Sequence, residues 1–130
     1  MGMEHERHFT LEEATALLPW AQARLDSIRE ALEVLAGDEA QAAIARAAEP
    51  TGGAYADRAA AHATVTAQLS VAHLQGAGIV VRDAQRGLID FPALRDGREV
   101  YLCWQSGEPR IEFWHEPDAG FAGRRPLEDG

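Results

Sequence analysis

Residues 78–116 read GIVVRDAQRGLIDFPALRDGREVYLCWQSGEPRIEFWHE, and the fold turns on them. Apolar and polar side chains alternate here with a period of two, the signature of strands with one buried face. GIVVRD, GLIDF, REVYLCW and RIEFWHE are β-prone stretches separated by AQR, PALRDG and QSGEP, all rich in turn formers. Short connections between such stretches predict an antiparallel meander of about four strands over 78–116. One face of that sheet must be covered by whatever precedes it.

The period upstream is helical. Thr10 followed by Glu13 forms a capping-box pattern that predicts a helix start. From there Leu11, Leu18, Leu25 and Leu32 fall seven apart, with Ala14, Ala21, Ile28 and Leu35 interleaved, a seam that needs apolar company. Pro19 removes one backbone donor, so a bend is expected near Leu18, and Gly37 ends the pattern. Residues 38–53 are alanine-rich and predict a short helix to Ala48, broken by Pro50, Gly52 and Gly53. A second helix is expected from about Ala54 to Gln75, with Val65, Leu69 and Ala72 as its apolar stripe and Gly76 and Gly78 as its stop. The expected fold is therefore α+β: a long antiparallel helical hairpin (10–76) packed on a small antiparallel meander (78–116), with a C-terminal tail (117–130) in loop conformation. It forms one domain across 1–130.

Composition narrows the function. Charged residues make up 25% of the 130-residue chain and hydrophobic ones 46%, values ordinary for a globular protein. No apolar run is long enough to span a bilayer, and the opening MGMEHERHF is not a basic-then-apolar signal, so a cytoplasmic location is expected. A formal net charge of −9 opposes binding to nucleic acid. Cys103 is alone, which excludes an internal disulfide and a paired-cysteine metal knuckle. Every cationic side chain is Arg, which carries no functional weight by itself.

The chemistry-bearing residues cluster late in the chain. If QSGEP is the turn and Trp104 sits opposite Ile111, then Val100, Leu102 and Trp104 share a face with Ile111, Phe113 and His115. Glu99, Tyr101, Cys103, Glu112 and Trp114 take the other. On that register Glu112 and His115 point apart, since the ExxH spacing converges only on a helix. Cys103 and His115 are separated as well, which weighs against a thiolate nucleophile with its base. His115 is either a core-edge histidine bonded to a carboxylate or carbonyl, or a ligand completed by Asp118, which Pro117 can turn toward it. Asp90 interrupts the apolar run Ile89–Phe91 and needs Arg95 or Arg82 if buried, as an ion pair or as a ligand or acid/base group. His62 and His73, ~16 Å apart along one helix stripe, cannot chelate one ion. Arg124 and Arg125 either fork onto an anion or pin the tail.

FTLEEATALLP (9–19), RGLIDFPALRDGREVYLCW (86–104) and GEPRIEFWHEPDAGFAGRRPL (107–127) occur in an order that resembles the prokaryotic domain of unknown function family 2203. The matching motif positions are Asp90, Phe91, Pro92, Arg95, Asp96, Gly97, Trp104, Phe113, Trp114, His115, Gly120, Phe121, Gly123 and Arg124. The resemblance implies a small cytoplasmic bacterial protein with a helical N-terminal half. It implies no activity.

Three functions follow as expectations. The first is a small binding module, dimeric through the helical seams, with a pocket of Asp90, Arg95, Trp104, His115 and Arg124 for a small polar ligand or a metal. The second is an enzyme in which His115, Asp118 and Asp90 hold a divalent transition metal that activates water. The third is a structural or regulatory module that binds another protein through the leucine seam.

Overall fold

Among the described residues, two long helices, α1 (Leu11–Ala36) and α2 (Arg58–Gly76), precede five strands: β1 (Val80–Asp83), β2 (Leu88–Arg95), β3 (Arg98–Gln105), β4 (Phe113–His115) and β5 (Arg125–Pro126). The computed structural model describes residues 4–38, 41, 42, 45 and 58–127, so the short helix expected at 38–48 and its breaks fall largely outside the described residues. The fold is α+β, as expected.

Both halves of the capping box close α1: the Glu13 N–H donates to Thr10 Oγ1 at 3.0 Å, and the Thr10 N–H to Glu13 Oε1 at 2.8 Å. Glu12 and Glu13 in the first turn also favour the positive end of the helix dipole. The helix continues through Pro19 and stops at Gly37. Its seam is covered within the chain. Ala14, Ala21, Leu25 and Ile28 are buried, Leu18 and Leu32 pack partly against the same core, and Leu11 is left 44% exposed. The C-terminal half of α1 (Ser27, Ala31, Val34) lies beside the N-terminal half of α2 (Ala59, Ala63, Thr66), so the helices run antiparallel. Gly78, at φ +94°, turns the chain out of α2: its N–H reaches Gln75 O and that of Ile79 reaches Leu74 O, closing the last carbonyls while Ile79 enters the core.

The sheet is a meander in the order β1-β2-β3-β4-β5, every neighbouring pair antiparallel. Ile89, Phe91 and Ala93 of β2, Val100, Leu102 and Trp104 of β3 and Trp114 of β4 join Leu25, Ile28, Leu74 and Phe9 in one core. Burying Leu25 or Phe91 in it contributes about 1.5–3 kcal/mol each.

The turns and strands differ from expectation in two places. PALRDG is not a turn as a whole: Pro92 to Arg95 extend β2, and only Asp96 and Gly97, at φ +54° and +79°, make the reversal between Arg95 and Arg98. Such a two-residue hairpin needs positive φ at both positions, which Asp-Gly supplies. Pro92 is tolerated inside β2 because its nitrogen and carbonyl share a flank beyond the start of β1. There the Phe9 N–H donates to Pro92 O at 2.7 Å, and no ladder donor is needed. The tail, expected as loop, adds a fifth strand, pairing Arg125 with Trp114 and Pro126 with Phe113.

A third difference decides the site. Trp104 is not opposite Ile111: Tyr101 pairs with His115, Leu102 with Trp114 and Cys103 with Phe113. The register is one residue from the expected one, and a one-residue slip moves every side chain of a strand to the other face. Trp114 therefore joins the helix-facing core, while His115 turns to the back of the sheet with Tyr101 and Cys103.

Candidate metal centre on the back of the sheet

The back face is polar in composition yet closed. Asp90, Pro92, Tyr101, Cys103 and His115 are each no more than 2% exposed. Residues 4–8 strap one side of it: the Glu99 carboxylate accepts from the Glu4 and His5 N–H groups, both at 3.1 Å, and meets His8 Nε2 at 2.8 Å. His5 Nε2 lies 2.8 Å from the Tyr101 hydroxyl, whose ring stacks at a tilt on His115. The tail closes the other side. The Arg124 guanidinium lies over the rings of Phe113 and Phe121, at 4.1 and 4.6 Å, and donates through Nη2 to Glu108 Oε1 at 2.6 Å and to Cys103 O at 3.4 Å.

In the centre, Asp90 Oδ2 accepts from Arg82 Nε at 2.8 Å and faces His115 Nε2 at 2.9 Å. His115 Nδ1 lies 2.7 Å from the Glu116 carbonyl. Both ring nitrogens thus face acceptors, which an imidazole satisfies only when it carries both protons. Burial pulls the imidazolium down, but the bonds to Asp90 and to the Glu116 carbonyl outweigh it and hold His115 above the ordinary histidine range. The other carboxylate oxygen, Asp90 Oδ1, is buried with no hydrogen-bond partner. Cys103 lies next to Asp90, and its thiol is pushed up to about 12 by burial first, then by the charge of the Asp90 carboxylate and a hydrogen bond to it, against the pull of Arg124.

One donor atom from each of Asp90, Cys103 and His115 lies within 4.8 Å of the others. A carboxylate oxygen, a thiol sulfur and an imidazole nitrogen are the three side-chain types that bind zinc-class ions, and around one such ion donors stand about 3–4 Å apart. A small contraction would bring the three into that geometry. The Glu116 carbonyl on Nδ1 is the outer partner that a histidine ligand bound through Nε2 ordinarily has.

The expected site residues divide. Asp90 and His115 meet, and Arg124 stands next to them across Cys103. Arg95 and Trp104 lie elsewhere: Arg95 stacks 4.6 Å over Trp114, and Trp104 faces the helices with its indole N–H on Glu108 O. Asp118 is exposed in the turn after Pro117 and is not bonded to His115, whose carboxylate partner is Asp90. Glu112 pairs with Arg110. The counter-ion of Asp90 is Arg82, one of the two arginines expected for it. His62 and His73 are exposed on α2. Cys103, set aside on the expected register, belongs to the site once the register moves by one residue, though as a protonated thiol rather than a nucleophile. A partial signal for it existed in the sequence: Asp90 interrupts the apolar run of β2, and Cys103 stands opposite it on β3.

A family model described as uncharacterized conserved protein (DUF2203) matches residues 7–127. The chain belongs to that family. The matched span of DUF2203 takes in residues 7 and 8 of the strap, both described helices, the five described strands and all three donor residues. No curated protein and no solved structure matches the chain. Among the described residues, no helix is long and apolar enough to cross a membrane.

Proposed function

We propose that this DUF2203 chain is a small metal-binding module that holds one divalent transition ion between Asp90, Cys103 and His115. The observation that carries this is the buried trio itself, one donor atom from each of Asp90, Cys103 and His115 within 4.8 Å of the others, with the second Asp90 oxygen, Oδ1, lacking a hydrogen-bond partner. A buried acceptor left open costs about 1–3 kcal/mol, more when charged, and a cation removes that cost. Binding exchanges the His115–Asp90 hydrogen bond for metal bonds and displaces the protons of Nε2 and the Cys103 thiol. Arg82 on Oδ2 helps keep Oδ1 oriented for a single bond to the ion.

Three protein donors leave a tetrahedral ion one free position, the arrangement of catalytic zinc sites. Water activation for turnover would need a substrate at that position, and side chains exposed 2% or less give it no open path. Burial therefore favours holding the ion over metal-dependent hydrolysis. Pairing of two copies, expected from the leucine seam, would have to use Val65 and Leu69 of α2 and Val34 of α1, since Leu25 and Ile28 are enclosed.

Elemental analysis of untagged protein tests the proposal. One equivalent of a zinc-class metal is expected, lost in Cys103→Ser and His115→Gln. Folded wild-type protein that is metal-free and takes up no Zn²⁺ on titration excludes it.

A further inference from the structure

A second set of metal-binding side chains lies outside the buried trio. Glu4, His5 and Glu99 each place one donor atom within 4.8 Å of the others, with Glu4 exposed and the other two partly so. Strap and sheet meet here, since Glu4 and His5 belong to the segment that crosses the back face and Glu99 to β3. His8 Nε2, 2.8 Å from Glu99 Oε2, is a fourth donor at the edge of the set.

The Glu99 carboxylate has acceptor capacity to spare. Of its roughly four lone-pair positions, the Glu4 N–H takes one on Oε1, and the His5 N–H and His8 take two on Oε2. Its charge is not cancelled by an arginine: its ion pair is with His8, and Arg98, its neighbour in the chain, is taken by Glu116. Glu4 Oε2 accepts only a long bond from the Tyr101 hydroxyl, at 3.3 Å. Two carboxylates beside neutral imidazoles carry the charge that one divalent ion cancels. Carboxylate oxygen and imidazole nitrogen together suit zinc-class ions, whereas Mg²⁺ and Ca²⁺ take oxygen donors.

We infer that Glu4, His5 and Glu99 form a second site for a divalent transition ion, which His8 joins by exchanging its contact with Glu99 for the ion. The site does not rest on the metal reading of the buried trio. It opens to solvent, so water completes the coordination shell and the ion exchanges with the medium more readily than an enclosed one. Bound there, the ion ties the strap to β3 beside Tyr101, whose hydroxyl meets His5 and whose ring stacks on His115. It thereby holds one side of the back face closed.

The test titrates the full chain with Zn²⁺ and follows the His5 and His8 ring signals by NMR, in the wild type and in Cys103→Ser. Saturable shifts of the His5 ring are expected in both, since the substitution disables the buried trio and leaves the strap intact. Mg²⁺ at the same concentration should leave the ring unmoved. Calorimetry should count one equivalent of Zn²⁺ more in the wild type than in His5→Gln or Glu4→Gln, two variants measured so that one folded protein suffices. A His5 ring indifferent to Zn²⁺, an equal response to Mg²⁺, or variants that bind as many equivalents as the wild type overturns the strap site. A Cys103→Ser protein that keeps every wild-type equivalent while the His5 ring still shifts overturns the buried trio instead and supports the strap site.

Discussion

Asp90 and His115, 25 residues apart in sequence, share a 2.9 Å contact between Oδ2 and Nε2 with neither side chain more than 2% exposed. The same oxygen takes the Arg82 guanidinium, so one carboxylate balances an imidazolium and part of an arginine inside the protein. Each of the following expectations starts from that cluster or from the two segments that cover it.

Removing the shared carboxylate takes the buried partner from His115 and the counter-ion from the part-exposed Arg82. Asp90→Ala should cost about 3–5 kcal/mol of folding free energy, because it breaks a buried pair and leaves His115 Nε2 enclosed without its partner. Arg82→Ala should cost much less, since its side chain is 40% exposed and water replaces the lost partner. Denaturant titration of metal-free protein measures both, and equal losses would remove the central role given to Asp90.

The Cys103 thiol should be inert. At about 12, its pKa leaves roughly a thousandfold less thiolate near pH 8 than an unfolded cysteine has. Native metal-free protein should react with iodoacetamide far more slowly than urea-unfolded protein. Because the folded value is raised, the stability it contributes is complete below the unfolded value of about 8.5 and disappears as pH rises toward 12. Fast native labelling would show an accessible thiolate and contradict the burial.

Metal occupancy should rise with pH. The bound ion competes with the proton on His115 Nε2, held above the ordinary histidine range, and with the Cys103 thiol proton. Zn²⁺ affinity measured against a chromophoric chelator should therefore strengthen steadily from about pH 6 to about pH 8. A pH-independent affinity would exclude both residues as ligands.

The N-terminal strap should release only in acid. Burial raises the Glu99 carboxyl, but His8 and the N–H groups of His5 and Glu4 more than offset it, so its pKa is lowered. A lowered carboxylate contributes stability that is present above the unfolded value of about 4.3 and is lost as pH falls through the lower folded value. The His5 amide proton, followed by NMR, should shift in that lower range, and in Glu99→Gln the acid transition should vanish. A His5 amide that titrates at the ordinary glutamate value would show that the latch is not formed.

Much of this architecture was legible in the residues. The α1 start follows from a hydroxyl and a carboxylate three positions apart, and α2 ends where Gly76 and Gly78 were expected to end it. Local signals of this kind act within a turn of chain and need no tertiary context. Asp96-Gly97 was equally local, but its signal was spread over PALRDG because Pro92 reads as a strand breaker. Only the Phe9 contact on its flank shows why it is harmless there. The fifth strand was hidden because Arg125 and Pro126 are poor strand formers, held by pairing with β4 rather than by propensity.

The sequence by itself determined the α+β layering, the meander and the residues able to do chemistry, since periods of 3.6 and 2 and turn formers are written into the order of side chains. Only the tertiary structure decided which of those residues meet. The segment between β3 and β4 shifts the pairing by one residue, and in a strand of period two that is the difference between His115 in the helix-facing core and His115 against Asp90 and Cys103.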